Sequence, residues 1–271
     1  MYTKPIFYKI YSIVIFAFAV LSSVGSVLFA VFGANKLNRV LPVGSWAAYL
    51  AVLIGTSLAS LFFSYVEFTS MFTFAQMIEH EESGSTQPFR RMGIVFPPKF
   101  YKVFGNVLFY IPLVADVIAA VVLVISYSVT KKAFLAIPLI PLGLMLLSLL
   151  LIYITYYCRY RTFGDLLELK SSEEVGVNTL NSLGENKPNI LRGYCVFLFI
   201  LAIVCFLATI ISLFFIAKPI ATLFGSGMTV AICVGIIINA VVMFMVFAII
   251  GCYYDNLAKM LEHYMIKYKL I

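Results

Sequence analysis

The sequence predicts an all-α polytopic membrane protein: six transmembrane helices arranged as three tandem helical hairpins, with the even-numbered helices extended into the cytoplasm. Three observations predict it. The 271-residue chain is 63% hydrophobic and 11% charged, with a mean hydropathy of +1.04, whereas soluble globular chains run about 45–50% apolar and roughly 25% charged. Six apolar stretches are each long enough to cross a bilayer. Two short motifs recur three times at near-constant separation. A chain of this composition has too little polar surface to cover itself in water, so its solvent must be largely lipid.

The apolar stretches are residues 10–32, 47–66, 104–127, 133–157, 194–217 and 228–254, each meeting the length of about 20 residues that a spanning helix needs. Pro112, Pro138 and Pro141 lie inside the third and fourth. In a membrane helix they imply kinks rather than breaks, because neighbouring helices can satisfy the freed carbonyls. The first stretch is too long for a signal peptide, so it is expected to be a retained span. The whole of 1–271 is expected to form one membrane domain. Cys158, Cys195, Cys205, Cys233 and Cys252 are odd in number, lack a C-x-x-C pair and lie in or beside apolar runs. They read as small hydrophobes rather than as a disulfide framework or a metal site.

Charge sets the expected orientation. The net charge is +7, but the basic residues are dispersed in short connections, which is a membrane pattern and not a nucleic-acid groove. The N-terminal segment, the second and fourth connections and the C-terminal tail hold fourteen Lys and Arg. The opposite side holds five: Lys36, Arg39, Lys131, Lys132 and Lys218. The positive-inside bias therefore places both termini in the cytoplasm, with the cell membrane as the expected location.

The first motif stands just before each odd-numbered span: Phe7-Tyr8-Lys9-Ile10-Tyr11, Phe100-Tyr101-Lys102-Val103-Phe104 and Ile190-Leu191-Arg192-Gly193-Tyr194. It joins a bulky apolar pair, a cation, a spacer and an aromatic. The second follows each even-numbered span: Thr73-Phe74-Ala75-Gln76-Met77-Ile78-Glu79, Thr162-Phe163-Gly164-Asp165-Leu166-Leu167-Glu168 and Asn256-Leu257-Ala258-Lys259-Met260-Leu261-Glu262. From cation to Phe or Leu the separation is 65, 61 and 65 residues. This implies a triplicated hairpin, with repeats near 7–82, 100–174 and 190–264.

The cation is expected to anchor its span to the headgroups beside the aromatics. In the second motif the apolar residues fall at i, i+3 and i+4: Phe74, Met77, Ile78; Phe163, Leu166, Leu167; Leu257, Met260, Leu261. That spacing draws one helical face, with the glutamate turned away from it. Residues 47–79 would span roughly 50 Å as one helix, more than the bilayer's hydrocarbon of about 30 Å. Each even helix is therefore expected to continue as an amphipathic cytoplasmic extension. Its apolar face either packs at the interface or within the protein, or docks a partner. The connections 79–88 and 171–188, rich in Ser, Gly, Asn and Glu, read as flexible linkers too short to be domains.

Chemistry-bearing residues are few. Asp116, near the middle of the third span, is the clearest intramembrane polar group. A carboxylate there costs on the order of 2.5–3.5 kcal/mol on the insertion scale, so it should face a cavity or a partner. Asn239, midway along the sixth span, is a candidate companion or an interhelical hydrogen bond. His80 and His263 both follow the motif glutamate and could share a divalent metal if the hairpins surround an axis. Leu169 at the third position breaks the set, so no metal is expected. There is no G-x-x-x-x-G-K-[ST], H-E-x-x-H or G-x-S-x-G pattern. An intramembrane serine protease would need a deep histidine, and an aspartyl protease a second deep aspartate.

The expectation is therefore a non-enzymatic membrane protein without cofactor. It would be an interaction or assembly subunit whose cytoplasmic extensions and basic inner surface bind itself, a membrane partner or anionic lipid, and not nucleic acid. The rival is a small-solute or ion permease centred on Asp116.

Overall fold

The computed structural model describes residues 2–37, 45–85, 87–90, 96–130, 147, 149–172, 175–224 and 226–271, and among them there is no strand. The elements are α1 (Pro5–Leu37), α2 (Ser45–Glu82) and α3 (Pro98–Thr130), then a π-helical turn (Tyr153–Cys158) that runs directly into α4 (Arg159–Ser171). They are followed by α5 (Val177–Glu185), α6 (Pro188–Phe224) and α7 (Ser226–Lys267). Five segments are long and apolar enough to cross a bilayer: Pro5–Leu28, Ala51–Glu82, Pro98–Ile118, Pro188–Leu213 and Ile232–Lys267. They mark the chain as an integral membrane protein. Most of the expected span 133–157, with Pro138 and Pro141, lies outside the described residues.

The helix starts follow from proline. α1, α3 and α6 begin at Pro5, Pro98 and Pro188, five or six residues before the apolar stretches expected from sequence. Proline suits the first helical position because its φ is preset and its missing N–H would be unpaired there anyway. The same first turn closes each time: the N–H of Phe7, Phe100 and Ile190 donates to the carbonyl of Lys4, Pro97 and Lys187. Hydropathy marks where lipid begins, whereas proline marks where the helix begins.

Two of the expected linkers change character. α2 runs unbroken for 38 residues to Glu82, roughly 57 Å at 1.5 Å per residue, so 79–82 are helical. Within 171–188, residues Val177–Glu185 form α5. α3 passes through Pro112 without a break in helix assignment.

The described residues fall into two compact units, Met1–Phe96 and Pro97–Ile271. In the first, α1 packs along α2, with Tyr8 against Phe74 (ring centroids 6.0 Å) and Phe16 against Tyr65 and Phe68. In the second, α3 packs on the π turn and α4, α6 packs along α7, and α4 and α5 both touch α7. Two glycines let α3 and its partner approach closely. A Cβ on Gly105 would meet the Tyr156 carbonyl at 2.9 Å, and one on Gly164 would meet Lys102 Cγ at 2.8 Å. Small residues at helix contacts permit such approach, and dispersion contacts then replace the solvophobic drive that lipid does not supply. Burial gathers around the motif residues, while mid-span side chains such as Phe18, Leu58, Ile118, Ile203 and Met245 are exposed. That pattern suits a surface wetted by lipid tails.

Candidate functional site

The residues of the two motifs meet. Lys9 Nζ lies 2.6 Å from Glu79 Oε1, Lys102 Nζ lies 2.7 Å from Glu168 Oε2, and Arg192 Nη2 lies 2.5 Å from Glu262 Oε2. The partners are 70, 66 and 70 residues apart in sequence. From sequence the cation is expected among headgroups and the glutamate on an open face; in the structure each closes a helix pair by holding the other. The physics favours it. Each cation sits near the N-terminus of its helix and each glutamate near the C-terminus of its own, so both oppose their own helix dipoles. Pairing them offsets that repulsion and forms charge-assisted hydrogen bonds. Beneath the pairs the same motifs supply apolar contact: Tyr8 on Phe74, and Tyr101 edge-on to Phe163 at 4.8 Å. In the third pair Leu191 and Leu257 are likewise buried.

The middle pair is elaborated. Asp165, with no exposed side-chain surface, lies 2.5 Å from Lys102 Nζ. It also accepts hydrogen bonds from Ser182 Oγ at 2.9 and 3.0 Å and from Asn186 Nδ2 at 2.8 Å. Glu168 accepts a further bond from Thr179 Oγ1 at 3.2 Å, and Thr162 Oγ1 donates to Asn186 Oδ1 at 3.2 Å. Every lone-pair direction of the buried carboxylate that these donors reach is thus satisfied, as a buried charge requires. Thr179 and Ser182 belong to α5, so the polar cluster is also what docks that helix. Burial pushes the Glu168 carboxyl up, but the Lys102 ammonium, with help from Thr179, outweighs it and holds the group below its ordinary value.

Arg159 is a second buried cation. It is only 3% exposed, and its guanidinium stands over the rings of Tyr253 at 4.5 Å and Tyr160 at 5.1 Å. Aromatic faces stabilise a desolvated guanidinium there, tying α4 to α7. Nearby, Tyr254 OH donates to the Thr155 carbonyl at 3.2 Å, and Thr155 Oγ1 and Tyr194 OH share a hydrogen bond of 2.8 Å.

For the nine residues of the apolar faces, the expectation left packing within the protein and docking of a partner both open. Phe74, Met77, Ile78, Phe163, Leu166, Leu167, Leu257, Met260 and Leu261 are all fully buried within the folded chain. An amphipathic helix must cover its apolar face with something, and here the chain itself covers all three, leaving no face open to a partner at these positions.

Asp116 lies on α3, half-buried, between the exposed Val114 and Val117. Asn239 lies on α7 and lines a cavity of about 240 Å³ between α6 and α7, with Thr209, Cys205, Phe206 and Met243. Asp116 is not among the lining residues of that cavity. His80 stands edge-on to Phe89 at 5.6 Å, and His263 edge-on to Tyr264 at 5.3 Å. Among the described residues no three His, Cys, Asp or Glu side chains come together as a metal site.

Sequence reasoning missed three features of the clasps. Pro5, Pro98 and Pro188 each stand four residues before the cation. Ala75, Gly164 and Ala258, all buried and small, follow the motif Phe or Leu. Asp165 is an acid inside the motif where the other two copies carry Gln76 and Lys259.

Comparison with protein-family models, with curated proteins and with solved structures finds no match to this chain. The class is therefore set by the molecule's own features: a helical integral membrane protein whose polar investment is concentrated in ion-paired helix ends.

Proposed function

We propose that this chain is a non-enzymatic assembly subunit of the cell membrane. It has six spans in three tandem hairpins, both termini in the cytoplasm, and inner helix ends clasped in pairs. The observation that carries the reading is the use made of the recurring motifs. Their cations, glutamates and aromatics join helix to helix, which is what a scaffold requires, and none of them lines the three cavities described among these residues. With the extension faces covered by the chain itself, contact with another copy or a membrane partner falls to the exposed span faces. The basic inner surface adds attraction for anionic lipid. Purification in mild detergent, with mass measurement and in-membrane cross-linking from cysteines placed on exposed span positions such as Ile118 and Ile203, tests this. Discrete cross-linked oligomers or a stoichiometric partner support it; a strictly monomeric, partner-free chain in native membranes opposes it.

A second reading, a small-solute or ion permease, draws on the cavity beside Asn239 and on the carboxylate of Asp116 within an apolar helix. Reconstituted vesicles distinguish the two. A proton or solute flux lost in Asp116→Asn would favour the permease, and vesicles without flux would favour the subunit.

A further inference from the structure

We infer that a polar cavity beside the π-helical turn binds the phosphate group of an anionic lipid headgroup. The cavity, of about 150 Å³, lies between the π turn, α4 and the start of α6, and its polar lining includes Tyr157, Arg161, Thr162, Glu185, Asn186 and Lys187. It differs in kind from the groove between α1 and α2, which Val24, Leu28, Ile54 and Leu61 dominate.

Charge and geometry point to an anion. Arg161 and Lys187 bring two positive charges against the single carboxylate of Glu185. The guanidinium is held ready: Nη1 donates to Tyr157 OH at 2.5 Å, its Cζ lies 5.6 Å from the centroid of the Tyr157 ring, and Nη2 pairs with Glu185. A guanidinium offers five N–H donors in a rigid fork that matches phosphate oxygens, and two such contacts leave donors over. Glu185 is itself 64% exposed, so an arriving anion competes with a carboxylate at the rim rather than with a buried one. Thr162 and Asn186 are buried and form a polar floor.

Size and depth narrow the ligand. Sites for drug-sized molecules run to about 300–1,000 Å³, so this cavity suits a phosphate group and not a nucleotide. Tyr153 and Tyr157 close the expected fourth span, and Lys187 immediately precedes Pro188 at the start of α6. Aromatic and basic residues at a span end sit at headgroup level. The inference rests on the proposed cytoplasmic orientation of these ends, where anionic lipid is found.

The test is native mass spectrometry of the full chain in detergent, titrated separately with phosphatidic acid, phosphatidylcholine and inorganic phosphate. Phosphatidic acid should bind in preference to phosphatidylcholine. Lys187→Gln should weaken it about fivefold, the usual worth of one basic residue near an anionic surface. Glu185→Gln should strengthen it by removing the competitor, and Lys4→Gln should leave it unchanged. Opposite signs at positions 185 and 187 cannot come from misfolding. Equal retention of both lipids, or Lys187→Gln behaving as the parent chain, overturns the site. Displacement of the lipid by millimolar inorganic phosphate with the same variant pattern overturns the lipid source and leaves a free-phosphate site. None of these outcomes alters the oligomer and partner measurements, so the assembly reading stands or falls separately.

Discussion

The ammonium of Lys102 lies 2.5 Å from the carboxylate of Asp165, a side chain with no exposed surface. In the first unit, where Gln76 stands at the position of Asp165, the ion pair is Lys9 with Glu79, similar in distance but with both side chains open to their surroundings, 24% and 43% exposed. Distance alone makes the two look alike, but burial separates their energetics. An exposed pair gains little beyond its entropy cost, while removing one partner of a buried pair strands the other in a medium that cannot solvate it.

Lys102→Met should therefore destabilise the second unit by about 3–5 kcal/mol, because it leaves the fully buried Asp165 carboxylate without its cation. Lys9→Met should cost about 1 kcal/mol or less. Equilibrium unfolding in detergent, followed by tyrosine fluorescence and far-UV circular dichroism, reads both. Equal losses for the two variants would refute the distinction.

Close helix approach at Gly164 and Gly105 leaves no room for a side chain. Gly164→Val must push α4 from α3 and loosen Lys102 from both acids, with an overpacking cost of about 1–3 kcal/mol. Gly193→Ala is the control, since a Cβ there meets nothing within 4 Å. Unfolding midpoints should fall for the first variant and hold for the second.

Glu168 titrates below its ordinary value in the folded chain, because Lys102 outweighs the cost of burial. In the unfolded chain a glutamate titrates at about 4.3. A depressed folded value means that the stabilisation is fully present above the unfolded value and is lost as pH falls through the lower, folded one. Protection of the α5 amides, taken relative to the intrinsic exchange rate at each pH, should thus be high at pH 7 and fall below about pH 4, where Glu168 releases Lys102 and Thr179. Glu168→Gln should remove much of that pH dependence; an unchanged profile in the variant would contradict the assignment.

Orientation is open to a direct check. Cysteines placed at Ser85 and Asn178, both exposed, should react with a membrane-impermeant maleimide only after the cell membrane is opened. Labelling from outside intact cells would reverse the proposed topology.

How much of this was legible beforehand depends on the residue. The motif positions were visible because identity of residue type recurs at constant spacing, and they prove to be where the helices touch. The ion pairs were not, since nothing local links residues 70 apart; opposite charges at fixed places in each copy were the available clue. The buried fate of Phe74, Leu166 and Met260 was half legible. Periodicity says that a face is covered, but not whether the cover is another chain, lipid or the same chain. α5 was hidden for a different reason. Its sequence, VNTLNSLGE, is polar and carries weak helix formers, and its docking is supplied by tertiary bonds to Asp165 and Glu168 that no local pattern encodes.

A cation at one helix start and a glutamate at another helix end hold each pair together. Charge exchange at Arg192 and Glu262 tests it most directly, by thermal unfolding of the full chain in one detergent. Arg192→Glu alone and Glu262→Arg alone should each lower the midpoint, by about 2–4 °C for every kcal/mol lost in a chain of this size. The double variant, which restores opposite charges across the contact, should recover most of the loss. A double variant no more stable than the worse single one would show that the two residues are neighbours without being a clasp.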